Sequence, residues 1–437
     1  QDPSGFSATI FAKDGVNYFA IRGTEGLFSF AGVNDWLTNV TDVGTNGIAV
    51  TQGLAMFNWL QRLYGANGNA VVQYVYNPIL GTLETFTGTA NGYLSGSLSP
   101  ISVTGHSLGG HLAMMLSRLA PGLVSSVFTY NAPGFDVFGT GLTSSGFFNL
   151  LNNAPIGPIT GAIGTGWNSG ILTQANVEGD VVHDIGYTPG LQQFIFSENA
   201  NQGVVDAHDI KAITDSLAIY DLFATFDPAL NTDPGKVRKI TDILKASAST
   251  ESKTLETALD ALRTLFQVNY ANRSAAGNAD TTLTLGILED RERFYTNVIG
   301  LKNHLTGSSL YDPDTKSLNL SVTSLVGSDS GQLLNRAQSD IAVRYALHKL
   351  NPFTVTGNPS LYDTINTDGS LDRYNPSTGS GNLTDQYLKD RSSFLTNKIR
   401  AGIDNTDTRT GDALATYLGS PQYFEDKTAD YTYKLYL

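Results

Sequence analysis

Ile101–Ala113 reads Ile-Ser-Val-Thr-Gly-His-Ser-Leu-Gly-Gly-His-Leu-Ala, and no other stretch limits the fold of this chain as tightly. Ile101–Thr104 is a short β-like run. Gly105-His106-Ser107-Leu108-Gly109 follows, and then Leu112, Met115, Leu116 and Leu119 recur at helical spacing until Pro121-Gly122. Gly-x-Ser-x-Gly between a strand and a helix is a nucleophile elbow. So tight a turn leaves no room for side chains two residues before and two after the serine, which accounts for Gly105 and Gly109. The geometry predicts that the Ser107 hydroxyl is pushed into the open. It also places the backbone N–H of Leu108 at a helix N-terminus, where it can receive developing negative charge. The alternative is an ordinary glycine-rich turn; the flanking strand, the helix and the second glycine pair, Gly109-Gly110, favour the elbow.

At 437 residues the chain exceeds one typical core and predicts two domains. A hydrophobic share of 41% with 15% charged residues describes a globular protein. The net charge of −13, with 27 basic against 40 acidic residues and no basic cluster, argues against a nucleic-acid partner. It argues equally against a general pull toward anionic membranes. With no cysteine, disulfides, thiolate metal sites and a cysteine nucleophile are all excluded. No apolar run reaches the length of a membrane span. The chain begins at Gln1, which is read as a leader removed or omitted, and its Gly, Asn, Thr and Ser content predicts a secreted protein.

Taken in order, Phe6–Phe11 and Val16–Ile21 form a hairpin through Lys13-Asp14-Gly15. The second strand runs into Arg22-Gly23-Thr24-Glu25-Gly26, where Thr24 offers a backbone N–H and a hydroxyl to an oxyanion, or belongs to a plain loop. The apolar stretch Leu27–Val33 is either buried or a surface that meets something greasy. A helix is expected over Ile48–Tyr64 with Gly65 as C-cap. Val71–Tyr76 reads as a buried strand, and Asn77–Pro100 as a β-rich or irregular insertion. After the elbow helix come strands at Val124–Tyr130, Ile171–Val177 and Gln193–Phe196, with a loop-rich Gly139–Gly170 holding at most a short helix. A further helix opens after Ala207-His208-Asp209-Ile210. Alternating strands and helices predict a mostly parallel sheet with helices on both faces, an α/β fold.

A serine hydroxyl needs a base, and the base needs an acid to hold its tautomer. Two histidines lie downstream in the first domain. His208 follows the last strand, where a base is wanted; His183, three residues from Asp180 on one loop, is the alternative. Asp180, in a glycine turn after a strand, is the preferred acid. Asp136 and Asp184 are its rivals, while Asp206 and Asp209 read as solvated or capping groups. His106 is expected to pack beneath the elbow, and His111 to be structural.

These pieces resemble the class 3 lipase family, α/β-hydrolases typified by fungal triacylglycerol lipases, over roughly residues 6–225. The matching motifs are Phe19-Ala-Ile-Arg-Gly-Thr24 with Asp35-Trp36-Leu37, Val103–Gly110, Tyr130-Asn-Ala-Pro-Gly134 and Asn176–Val182. The resemblance implies Ser107 as nucleophile, Asp180 as acid, and Thr24 and Leu108 as the oxyanion donors. It also implies a lid between Thr24 and Asp35, carrying Leu27, Phe28, Phe30 and Val33. The family's histidine shortly after the acid, which His183 resembles, is structural and favours His208 as base.

Residues 227–236, with two prolines, read as a linker between a hydrolase-like domain, 1–226, and an accessory domain, 237–437. The accessory domain is expected to be mainly helical, over Val237–Ser247, Ser252–Phe266, Leu288–Leu305, Leu333–Leu350 and Thr384–Ala401, with β-like runs at Ser317–Val326 and Tyr431–Leu437. Acidic loops at Asp312–Asp314, Asp363–Asp372 and Asp404–Asp412 leave a structural calcium open, but none has the spacing of a known calcium loop. The expectation is thus a secreted serine hydrolase, a lipase cleaving lipid esters at an interface and needing no cofactor for its chemistry. Phospholipase A1 activity is the close alternative. A reading of another class is the catalytic fragment of a larger toxin or adhesin whose second half binds a partner or membrane.

Overall fold

The computed structural model describes residues 4–23, 43, 47–97, 99–136, 142–154, 163–198, 207–231, 233–247, 254–268, 288–358 and 360–403. The chain divides into two units, Gln1–Ile195 with Gln202–Ile210, and Phe196–Asn201 with Lys211–Leu437.

In the first unit, β1 (Ala8–Lys13) and β2 (Val16–Ile21) form an antiparallel hairpin. Asp14 and Gly15 both have positive φ, 51° and 77°, which matches the twist that a two-residue hairpin turn requires. Next come α1 (Val50–Tyr64), β3 (Ala70–Asn77), β4 (Thr82–Thr89), β5 (Ile101–His106), α2 (Leu108–Leu119), β6 (Val124–Tyr130), α3 (Ser144–Asn152), β7 (Leu172–Val177) and β8 (Leu191–Ile195). The main sheet runs β1-β2-β5-β6-β7-β8, and every pairing from β2 to β8 is parallel. The protein is therefore α/β.

Alternation along the strands sorts the sheet into two faces. Phe19, Ile21, Val103, Val127 and Leu172 share a buried cluster with Leu54, Phe57 and Leu60 of α1 and Leu112, Met115 and Leu116 of α2. Burying each such side chain contributes roughly 1.5–3 kcal/mol. On the opposite face Tyr18 and Phe128 remain 38% and 41% exposed. The strand order explains the asymmetry. Each crossover steps the same way across the sheet, and right-handed crossovers in one direction keep their helices on one side. α1, α2 and α3, the helices described in this unit, all contribute to that one buried cluster. Every residue of α2 is buried, so the apolar stripe read from its sequence understates how deeply it sits.

Two local readings gain detail from the structure. The strand at Val71–Tyr76 stands outside the main sheet: β3 pairs only with β4, in a separate two-stranded ribbon. Its apolar residues are there because Val72, Tyr74 and Tyr76 pack on the α1 side of the core. Gly65 does end α1, but with an extended backbone (φ −64°, ψ 145°) in place of a left-handed cap. Its need for glycine is steric, since a Cβ there would lie 2.7 Å from Ala90 Cβ and 2.8 Å from Val71 Cγ1.

The second unit is mostly helical: α4 (Ile210–Ala224), α5 (Pro234–Ser247), α6 (Thr254–Leu265) and α7 (Leu288–Thr306), then α8 (Ser330–Ala337), α9 (Ile341–Lys349), α10 (Ser360–Asp363) and α11 (Asp385–Ile403). Two small ribbons accompany them, β9 (Tyr311–Asp312) with β10 (Ser317–Leu318), and β11 (Ser321–Ser324) with β12 (Phe353–Thr356). The segment read as a linker, 227–236, lies inside this unit; it holds a 3-10 turn at Pro228–Asn231 and the start of α5. The single helix expected over Leu333–Leu350 is two. Asp340 breaks it by accepting the N–H groups of Ala342 and Val343 as N-cap of α9. Likewise the run Ser317–Val326 is split between two ribbons. Tyr431–Leu437 and Asp404–Asp412 lie outside the described residues. Among the described residues no helix is long and apolar enough to cross a membrane.

Candidate active site

β5 ends at His106 and α2 begins at Leu108, so Ser107 alone makes the turn. Its backbone takes φ 56° and ψ −130°, a region costly for any residue with a Cβ. The turn is locked from three sides. Ser107 N–H donates to Tyr130 O (2.9 Å), and Ser107 O accepts from Gly110 N (2.9 Å) and His111 N (3.2 Å). A Cβ on Gly105 would run into the Gly109 carbonyl, and one on Gly109 into the Ile21 carbonyl. The glycines are thus demanded by backbone crossing backbone. The Ser107 side chain does not cap α2, which leaves its hydroxyl uncommitted to the helix. Ser107 is only 7% exposed, so the expected opening of the hydroxyl to solvent is not seen. Leu108, 4% exposed, supplies the first helical N–H beside it.

β7 delivers the acid. Its strand ends at Val177, Gly179 turns the chain with φ 90°, and Asp180 N–H donates to Val177 O (3.2 Å). Asp180 is 1% exposed and accepts from Val182 N (3.1 Å). Both of its oxygens lie 3.2 Å from His208 Nδ1. Burial alone would raise this carboxyl's pKa. The neighbouring His183 and His208, with the Val182 N–H, outweigh burial and hold it below the usual carboxylate value. His208, 2% exposed, sits just before α4. Its Nδ1 turned to a carboxylate fixes the tautomer that carries a lone pair on Nε2, the form a general base needs.

Two side chains grip the main chain at this histidine. His106 Nε2 donates to His208 O (2.8 Å), with the two rings 4.6 Å apart at 44°. Asn131 Nδ2 donates to Ala207 O (2.9 Å). Burial, and then the nearby His208, lower the pKa of His106 to about 4, so it stays neutral at ordinary pH. His106 therefore lies against His208, where the sequence reading puts it beneath the elbow. Neither grip was legible as such. The signals that were available are a histidine flanking the serine and an asparagine at a strand end before Ala-Pro-Gly.

The remaining candidates separate cleanly. His183 stands farther from the acid, Nδ1 3.9 Å from Asp180, with Nε2 3.3 Å from Asp184 and its ring edge-on to Phe194. Asp136 accepts from both Ser144 N (2.6 Å) and Ser144 Oγ (2.7 Å), which commits it to the start of α3. His111 is fully buried; Nε2 accepts from Ala49 N (3.2 Å) and Nδ1 donates toward Pro133 O and Gly134 O. Burial lowers its pKa to about 4, and its role is structural. Thr24 and the residues expected to form a lid, Leu27, Phe28, Phe30 and Val33, lie outside the described residues, as does Asp206. Gly23 is described, and a Cβ there would lie 2.9 Å from His106 O and 3.5 Å from Ser107 Cβ, so the end of β2 runs directly beside the elbow. Among the described residues no cluster of three or more metal-ligating side chains occurs. Asp312, in one of the acidic loops, accepts from Asp314 N (2.8 Å) within its own turn. No protein-family model and no curated protein matches this chain.

Proposed function

We propose that this protein is a serine carboxylic-ester hydrolase of the α/β-hydrolase type, similar to class 3 lipases, acting on lipid esters. The observation that carries the reading is Asp180 bonded to His208 Nδ1 at 3.2 Å, in the same unit as a serine held at a strand–helix elbow. His208 Nε2 takes the proton of Ser107 as its oxygen attacks the ester carbonyl. Asp180 stabilises the resulting imidazolium. The Leu108 N–H, and Thr24 by resemblance, receive the tetrahedral oxyanion. The imidazolium then protonates the leaving alcohol, and water cleaves the acyl-enzyme by the reverse path. This chemistry calls on no metal or organic cofactor. The class of ester follows from the resemblance alone, as does the expectation of a secreted protein meeting its substrate at an interface.

The test is turnover of a chromogenic short-chain acyl ester by the wild type and by Ser107→Ala. Loss of about 10⁴-fold or more with the fold retained is expected; equal turnover by the two proteins rejects the mechanism. Profiling triacylglycerols against phosphatidylcholine then separates lipase from phospholipase A1 activity.

A further inference from the structure

The end of β6 meets all three candidate catalytic elements within two residues. Tyr130 O accepts from the nucleophile's own N–H (2.9 Å), and Asn131 N donates to Ala175 O on the acid's strand (3.2 Å). The Asn131 side chain, completely buried, then spans from that strand to the base. Its Oδ1 accepts from Val177 N (2.8 Å), three residues before Asp180, and its Nδ2 donates to Ala207 O (2.9 Å), one residue before His208. Its backbone is left-handed, φ 46°, a conformation that asparagine tolerates better than most side chains do.

We propose that Asn131 is a positioning residue that sets the spacing of Asp180 and His208, through one amide bridging Val177 N and Ala207 O. The inference rests on the hydrolase reading for its consequence in catalysis, and on the hydrogen bonds alone for its geometry. An amide suits the task because one rigid plane carries an acceptor and a donor, so the two main chains it joins are held at a fixed separation. The bonded groups are main-chain atoms flanking the acid and the base. A rotation of the amide therefore moves Asp180 against His208 without touching substrate. The His106 bond to His208 O secures the next carbonyl along the chain, so two consecutive carbonyls are referenced to the ends of β5 and β6. No solvent competes at a completely buried side chain, so losing either bond leaves a main-chain group unsatisfied.

Two full-length variants test this. Asn131→Gly keeps the left-handed backbone and deletes both bonds; Asn131→Asp keeps the shape and the acceptor but loses the donor to Ala207 O. On water-soluble p-nitrophenyl butyrate both are expected to lose about tenfold to a hundredfold in kcat, with KM within about twofold of wild type. The ring-proton resonances of His208, assigned by their loss in His208→Asn, are expected to shift in both. A kcat within about twofold of wild type in both variants, or unmoved His208 resonances, overturns the proposal. Should Asn131→Gly fail to fold, Asn131→Asp decides by the same readings. If wild type and Ser107→Ala turn over the ester equally, the hydrolase reading falls by itself, and the His208 resonances still decide whether Asn131 places the histidine.

Discussion

Both carboxylate oxygens of Asp180 lie 3.2 Å from Nδ1 of His208, whereas Nδ1 of His183, on the acid's own loop, lies 3.9 Å from the nearer oxygen. The chain thus offers one acid two histidines and bonds it to the one more distant in sequence. The reason is geometric. Three residues on a tight loop cannot turn His183 to face Asp180 squarely, while His208 arrives from a separate segment.

Substituting the two histidines separates their roles. His208→Asn is expected to lower kcat by about 10⁴-fold or more, because the proton of Ser107 then has no acceptor. His183→Asn is expected to cost less than about tenfold, since it removes one support for the Asp180 charge and leaves the bond from Asp180 to His208 in place. Steady-state kinetics on a soluble ester checks both; equal losses would assign the base to neither residue alone.

The elbow glycines make a sharper structural prediction. A Cβ at Gly105 meets the backbone of Gly109, which cannot move without dragging α2, so Gly105→Ala is expected to destabilise by several kcal/mol, about 3 or more. Gly122, with nothing within 4 Å of the site where its Cβ would sit, is the control. Gly122→Ala is expected to leave stability within about 0.5–1 kcal/mol of wild type. Urea unfolding of the two variants measures the difference.

What could be read from the sequence depended on the range of the interaction behind each feature. β2 and β6 match their expected bounds, because period-two burial and a nearby turn specify a strand locally. The elbow was legible for the same reason: the glycines, the serine and the flanking elements lie within a few residues. β3 was legible as a strand but not as to its partner, since a half-apolar strand looks alike in a ribbon and in the main sheet. The break at Asp340 was hidden by an apolar pattern that runs through both α8 and α9. Asn131 was beyond reach, for its two side-chain partners lie 46 and 76 residues away and both are main-chain atoms. Nothing in the identity of Val177 or Ala207 marks them as its partners.

Removing the acid's charge tests the tautomer argument. Asp180→Asn preserves size, but an amide can present its N–H₂ to Nδ1 and so favour the tautomer with the proton on Nε2, the wrong one for a base. The expected loss in kcat is about 10⁴-fold, partly recovered at high pH as hydroxide replaces the base. A loss below about tenfold would show that His208 keeps its orientation without the carboxylate.

His106 and His111 together predict a stability profile that falls on mild acidification. Each ring is pushed from the ordinary histidine value of 6.5 to about 4, His106 by burial and the nearby His208, His111 by burial. Between those values the unfolded chain binds protons that the folded chain refuses. Stability therefore rises with pH across this window and is lost as pH falls from 6.5 toward 4, by up to about 1.4 kcal/mol per pH unit for each histidine. Below about 4 both states are protonated and this slope ends. There Asp180 takes over: its folded pKa is depressed below 3.8, so its contribution, present above that value, is lost only as pH falls further. Urea unfolding at a series of pH values checks the window, and His111→Gln identifies one source. Glutamine keeps a polar group at the site without a titrating one, so the slope between pH 6.5 and 4 is expected to fall by about half. An unchanged slope in His111→Gln would place the proton uptake elsewhere in the chain.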